Sequence, residues 1–285
     1  MEPIEEFGND VTISARSTID GETIVRPATF ITTSWDDGHP LDLRVAELLS
    51  KYGLRGTFYI PMSAENETMP AAQIRELSLT FEIGAHTLHH AVLTETTEQK
   101  AWQEIAGSKS WLENNTGLPC LMFCPPKGKY TNRHLEMVRT AGYLGVRNVE
   151  LLSLDFPRNN AGIMLLPTTI QAYPHGSLAF AKNAVKRMAL KNLLRLMTHS
   201  RSTDWPALAR SLLHESIRCG GVFHLWGHSW ELQETGHWQR LDEALRCMSE
   251  VAIQAPSLTN GQICQRALSS NASVDETALR EEIAR

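Results

Sequence analysis

From Ala28 onward, short β-branched or aromatic runs alternate with segments whose apolar residues recur at helical spacing. This alternation constrains the fold more than any other feature of the chain. Ala28–Trp35, Gly56–Ile60, Thr80–Gly84, Leu121–Phe123 and Gly221–Trp226 read as strands, with shorter candidates at Tyr143–Val146, Leu151–Leu154 and Thr168–Ala172. Between them, Leu41, Val45, Leu48 and Leu49 mark a helix stopped at Gly53, and further helices are expected over Ala71–Leu77, Glu98–Asn114 and Asn132–Ala141. A long helix is predicted over Leu178–Met197, and Asp204-Trp205-Pro206 opens another. Strands that alternate with helices in this way predict a parallel α/β sheet, either open or closed into a barrel. Met1–Arg26 reads as loop with an edge strand near Val11–Ile13. The chain has no internal repeat, low-complexity tract or Pro/Gly/Ser-rich linker, so a single principal domain is the simplest organisation.

Composition narrows the functional classes. The 285 residues are 42% hydrophobic and 21% charged, as in ordinary soluble proteins. A net charge of −5 gives no long-range attraction to nucleic acid or to an anionic membrane. No apolar run approaches the roughly 18–20 residues of a membrane span. Five cysteines spread along the chain do not form a disulfide framework. The acidic, polar N-terminus lacks the basic and apolar segments of a secretory signal, so a cytoplasmic location is expected.

The chemistry-bearing residues gather where predicted strands end. Asp36-Asp37-Gly38 follows the first strand, at the end where parallel α/β folds place their sites. Two adjacent carboxylates diverging at a turn can divide a metal-ligating and a proton-accepting role, although the same tripeptide also serves as a helix-capping turn. His86-Thr87-Leu88-His89-His90 follows the third strand. Histidines at i and i+4 meet on one helical face and can hold a divalent ion. Eleven histidines placed at random would give roughly 0.4 such pairs, and this chain has two, His86/His90 and His224/His228, both near strand ends. His89 reads as a neighbour of the site and His224, inside its strand, as a packed or hydrogen-bonded residue. His228, just past the last strand, is placed for a general acid or for a structural tether. Cys124-Pro125-Pro126-Lys127-Gly128 forms a rigid loop, either an ordinary surface turn or a source of backbone N–H groups for an oxyanion. Cys120 and Cys124 read as buried thiols.

Together these clusters resemble the polysaccharide deacetylase superfamily over roughly Thr29–Leu232. Thr32-Thr33-Ser34-Trp35-Asp36-Asp37-Gly38 is similar to its first motif and His86-Thr87-Leu88-His89-His90 to its second. Thr57–Pro61 resembles its second strand, and His228-Ser229-Trp230-Glu231-Leu232 a His-Pro-Trp-Glu segment found in one branch. The resemblance implies a distorted (β/α) barrel with fewer than eight strands, spanning residues 29–255, with a lead-in over 1–28 and a helical extension over 256–285. It also implies metal-dependent removal of an acetyl group from an N-acetylated amino sugar or glycan intermediate. Asp37, His86 and His90 would hold one divalent ion, usually zinc. Asp36 would be the general base toward the attacking water, the backbone N–H of Lys127 an oxyanion donor, and His228 the acid that protonates the leaving amine. Two departures stand out. The family's third motif carries an arginine, which orients the catalytic aspartate, where this chain has Cys124; Lys127 or Lys129 is the nearest basic replacement. The aspartate that tunes the acid histidine has only Asp155 as a counterpart. A catalytically altered glycan-binding or regulatory module of the same fold, and a metal-independent amidohydrolase, are the alternatives.

Overall fold

The computed structural model describes residues 14–19, 22–186, 190–199 and 204–270. Within the lead-in, β1 (Ser14–Ile19) and β2 (Glu22–Pro27) pair antiparallel where loop was expected. The Val11–Ile13 strand lies outside the described residues.

The main body alternates strand and helix. It runs β3 (Thr29–Asp36), α1 (Asp42–Lys51), β4 (Gly56–Ile60), α2 (Ala71–Ser78), β5 (Glu82–Ala85), α3 (Glu98–Thr116), β6 (Met122–Phe123), α4 (Asn132–Thr140) and β7 (Gly145–Arg147). It continues through β8 (Arg158–Asn160), β9 (Ile163–Leu166), β10 (Ile170–Gln171), α5 (Ser177–Lys186), α6 (Leu190–His199), α7 (Trp205–Cys219), β11 (Gly221–Gly227), α8 (Ser229–Thr235) and α9 (Trp238–Val251). The sheet order is β10-β11-β3-β4-β5-β6-β7-β9-β8, parallel throughout except for β8 against β9. The sheet curls into the expected distorted barrel and stays open between β10 and β8. Nine strands are hydrogen-bonded, and six parallel strands of three or more residues carry the barrel, β6 and β10 having only two each.

Three local elements differ from those expected. Leu151–Leu154 is irregular because Leu152 turns into the left-handed region (φ 61°), and its backbone bonds to Thr168, Thr169 and Val222 instead of to a full strand partner. The β8–β9 hairpin was missed because Arg158-Asn159-Asn160 has little strand propensity; β9 supplies the four buried apolar residues that hold it. The Leu178–Met197 helix is instead two helices, α5 and α6.

Strand alternation explains how polar chemistry ends up inside an apolar barrel. On β3, Ile31 and Trp35 pack against the outer helices, whereas Phe30 joins a separate interior cluster with Tyr59, Met122, Cys124, Met164, Leu166 and Val222. Asp36 shares the parity of Phe30 and therefore points inward at the strand's C-terminal end. The opposite end of the barrel is stoppered. A helix over residues 260–270 contributes Ile263, Cys264 and Ala267 to the interior cluster, and Ile31 exchanges backbone hydrogen bonds with Pro256 and Leu258. Asn260 anchors this segment: its amide donates to the Tyr59 hydroxyl at 2.9 Å, its carbonyl oxygen accepts from Thr32 at 2.9 Å, and its backbone N–H donates to Thr57 at 3.0 Å. No described helix is long and apolar enough to cross a membrane.

Candidate metal and acid–base site

Left-handed backbone at the end of β3 separates the two neighbouring carboxylates. Asp37 has φ of 77° and Gly38 of 61°, so the chain reverses immediately after Asp36. A non-glycine residue in this region is uncommon and costs of order 1–3 kcal/mol, which the surrounding structure must hold. Six described non-glycine residues have positive φ, and four of them (Asp37, Thr87, His90 and Lys127) lie in the motif loops. Asp36 continues into the barrel while Asp37 turns toward the histidines.

The histidines meet through a loop, not through the helical face that their spacing suggests. Residues 86–90 are non-helical, with Thr87 at φ 60° and His90 at φ 51°, yet the two rings lie 5.0 Å apart. Glu104, fully buried on α3, shapes this loop by accepting the backbone N–H groups of Leu88 and His89 at 2.9 and 2.7 Å. It also binds the His89 ring at 2.9 Å, which makes His89 part of the loop's anchor and keeps it away from the site. His86 Nδ1 lies 2.7 Å from the Cys124 carbonyl oxygen. Donation there fixes the tautomer and leaves Nε2 as a lone-pair donor, the arrangement typical of metal-binding histidines.

Asp37 Oδ1 is buried and without a hydrogen bond, and it faces His86 Nε2 at 3.5 Å and His90 Nε2 at 3.2 Å. Zinc with tetrahedral ligands at about 2.0–2.1 Å needs ligand atoms separated by about 3.3 Å. The donor set and spacing therefore fit a divalent ion. A second grouping, Asp36, His86 and Cys124, is also close enough to share an ion. It fits less well: burial pushes the Cys124 thiol well above its ordinary range, away from the thiolate a metal requires, and Asp36 is already engaged.

Asp36 is engaged by Arg147. The Arg147 guanidinium, fully buried at the end of β7, donates to Asp36 Oδ1. Its planar head lies 5.2 Å from the Tyr59 ring centroid and 4.8 Å from that of Trp226. Burial works against ionisation of Asp36, but Arg147, helped by the charges of His86 and His228, outweighs it and holds the carboxyl below its usual range. Asp37 is likewise held well below that range, burial being outweighed by His86, His90 and His228. The expected basic replacements do not reach Asp36: Lys129 pairs with Glu95 at 2.7 Å, and the Lys127 side chain is exposed. The arginine missing at position 124 has its counterpart one strand along, and Cys124 contributes a thiol 3.9 Å from Asp36 Oδ2.

His228 stands at the end of β11, its Nε2 3.9 Å from Asp37 Oδ2 and its ring packed between Trp226 and Trp230. Trp230 donates its indole N–H to Asp37 Oδ2 at 2.9 Å and so fixes the Asp37 carboxylate from the other side. His228 Nδ1 donates to Glu231 at 2.7 Å, and the same carboxylate oxygen accepts the Gln171 side-chain amide at 2.8 Å. Burial would lower the His228 pKa, but Glu231, with the charges of Asp36 and Asp37, lifts it to about 9. Asp155 plays no part here: it is exposed, and its neighbour Leu154 bonds to Val222 near the opposite end of β11. The carboxylate that tunes His228 lies three residues further along the chain, a spacing that one helical turn brings into contact. His224 is fully buried, bonded to Ser34 at 2.9 Å and near the Pro167 carbonyl at 3.0 Å, and burial lowers its pKa to about 3. Of the expected site residues, Asp36, Asp37, His86, His90 and His228 converge. Lys127 lies in the adjoining loop, where Gly128 (φ 60°) has no room for a Cβ, which would sit 2.2 Å from Val149.

A family model described as polysaccharide deacetylase matches residues 25–146, which include both aspartates, the histidine loop and the Lys127 loop. Over that segment, somewhat less than half of the chain, the sequence is similar to the polysaccharide deacetylase family. Solved structures agree on the fold. A Mycobacterium smegmatis protein classed as a polysaccharide deacetylase superposes with a TM-score of 0.64 at 14% identity, covering 86% of this chain and 91% of its own. The Xyl-CE4 domain of a multidomain xylanase from the hindgut metagenome of Trinervitermes trinervoides gives 0.51 at 13% identity, covering 84% and 91%. A mutant of a CE4 family pseudoenzyme with restored enzymatic activity gives 0.50 at 13% identity, covering 83% and 68%. No curated protein matches the chain. At these identities the polysaccharide deacetylase fold is shared, and the reading of the site rests on its own geometry.

Proposed function

We propose that the chain is a metal-dependent hydrolase that removes the acetyl group from an N-acetylated amino sugar or a glycan intermediate, met in the cytoplasm. One observation carries the reading: an unbonded, buried Asp37 Oδ1 faces two histidine nitrogens at tetrahedral spacing, beside a charged base and a carboxylate-backed histidine. Asp37, His86 and His90 would hold the ion. Zinc suits this donor set, and when bound it supplies Lewis-acid polarisation of the amide carbonyl and a lowered pKa for water. Asp36, kept ionised by Arg147, takes the proton from the attacking water. The Lys127 backbone N–H is assigned to the oxyanion that develops on the carbonyl. His228, kept protonated by Glu231, gives its proton to the departing amine.

The missing arginine at position 124 was the sequence feature that favoured a non-catalytic module; Arg147 on Asp36 removes that ground. The test is acetate release across N-acetyl sugars, nucleotide-linked sugars and oligosaccharides, with and without added zinc. Asp36→Asn should retain the ion and lose roughly 100-fold or more in turnover. Full activity after chelation, or in Asp36→Asn, would refute the reading.

A further inference from the structure

The net charge of −5 conceals an uneven distribution. No aspartate or glutamate occurs from Phe156 to Thr203, while Arg158, Lys182, Lys186, Arg187, Lys191, Arg195 and Arg201 all fall in that stretch. Lys182, Lys186, Lys191 and Arg195 lie on the α5–α6 hairpin, which packs on the barrel through the inner face of α6. Asn192 donates to the buried Glu150 at 3.1 Å, and Arg195 reaches the Leu152 carbonyl at 3.1 Å and Glu215 at 2.9 Å. At 100° per residue, positions 194 and 197 project from the opposite side of α6. The structure agrees, leaving Leu194 63% and Met197 70% exposed. Lys182 on α5 and Lys191 on α6 are exposed as well. Exposed apolar side chains set among cations, with no acidic residue nearby in sequence, are the pattern of a helix that lies in the headgroup region of an anionic bilayer.

We propose that the α5–α6 hairpin is a docking surface for an anionic phospholipid membrane. Charge complementarity selects the occupant, because the exposed Leu194 and Met197 share the hairpin with the exposed Lys182 and Lys191, in a stretch that carries no carboxylate of its own to set against an anionic headgroup layer. The hairpin is also rooted at the site. His175, just before α5, holds Gln171 at 2.7 Å and packs on Phe180 of α5, and Gln171 in turn holds Glu231 behind His228. A bilayer held by this hairpin would therefore flank the mouth of the site. The proposal does not depend on the hydrolytic reading.

Sedimentation with vesicles tests it. The full chain should sediment with phosphatidylcholine vesicles containing about one-third phosphatidylglycerol but not with pure phosphatidylcholine, and the binding should weaken as salt is raised. Leu194→Glu with Met197→Glu should abolish binding at an unchanged melting temperature, while Ile253→Glu, at a 96% exposed apolar residue elsewhere, should leave it intact. Lys182→Gln and Lys191→Gln should each weaken the partition roughly fivefold. The proposal is overturned if the wild-type chain does not bind anionic vesicles at low salt, or if the Leu194/Met197 variant binds as well as wild type. It is equally overturned if that variant instead abolishes self-association, or if duplex DNA captures the chain more tightly than the vesicles do.

Discussion

Arg147→Met isolates the contribution of the buried pair beneath the site. Arg147 is fully buried and Asp36 only 3% exposed, so the substitution leaves a carboxylate without its counter-ion inside the barrel. Removing one partner of such a pair typically costs about 3–5 kcal/mol. With an unfolding entropy of about 2.1 cal/mol/K per residue, a chain of 285 residues loses about 0.6 kcal/mol per degree near its midpoint, so the expected drop is about 5–8 °C. The pH dependence gives the mechanism. In the native protein the folded pKa of Asp36 lies below its unfolded value, so its stabilisation is present above the ordinary carboxylate pKa and is lost as the pH falls through the folded value. Without Arg147, burial dominates and the folded pKa rises; the carboxyl then takes up a proton on folding, and the penalty grows as the pH increases. Thermal unfolding followed by circular dichroism should show the gap between wild type and variant widening from pH 5 to pH 8. Asp36→Asn combined with Arg147→Met should recover most of the loss, because both charges are then gone. A variant melting within about 1 °C of wild type at pH 8, or a gap that narrows with rising pH, would refute the pairing as the source of Asp36's charge.

Two further outcomes follow from the same geometry. Elemental analysis of the purified protein should find about one equivalent of divalent ion, with His86→Ala and Asp37→Ala each losing it and Cys124→Ala retaining it; loss in Cys124→Ala would favour the alternative Asp36/His86/Cys124 grouping. Glu231→Gln removes the carboxylate that His228 faces at 2.7 Å, so the pKa of His228 should fall from about 9 toward the ordinary histidine range in the metal-free protein. Proton NMR titration of the ring reads this directly, and an unchanged value would assign the elevation to Asp36 and Asp37 instead.

The strand–helix alternation was legible because β3, β4, β5 and β11 are short β-branched or aromatic runs bounded by clear breakers, and strand parity alone turns Asp36 inward. The Asp37/His86/His90 cluster was legible because each of its parts is a short local motif at the end of a strand. The supporting groups were not. Arg147 lies 111 residues from Asp36, in a three-residue strand, and only the curl of the sheet brings β7 opposite β3. Nothing local marks this arginine apart from its place at the end of an apolar run, where a buried cation needs a partner. Glu231 was closer to view: it stands three residues from His228 in a segment that forms a helix, so the i, i+3 contact was available from spacing. The histidine pair was found for an incomplete reason, since its convergence depends on left-handed turns and on Glu104, 14 residues beyond His90.

The stopper at the base of the barrel sets an order on assembly. Asn260 holds the Tyr59 hydroxyl, the Tyr59 ring lies against Arg147, and Arg147 holds Asp36. β3, which carries Asp36, also waits for β11, its neighbour in the sheet, whose residues lie about two-thirds of a chain length away in sequence. During synthesis from the N-terminus, Asp37, His86 and His90 are all translated within the first third of the chain, long before Asn260 can close the interior beneath Asp36. The motif residues are therefore all made before the interior that holds Arg147 against Asp36 can close, and a chain truncated before residue 260 should leave that pair without its support from Tyr59.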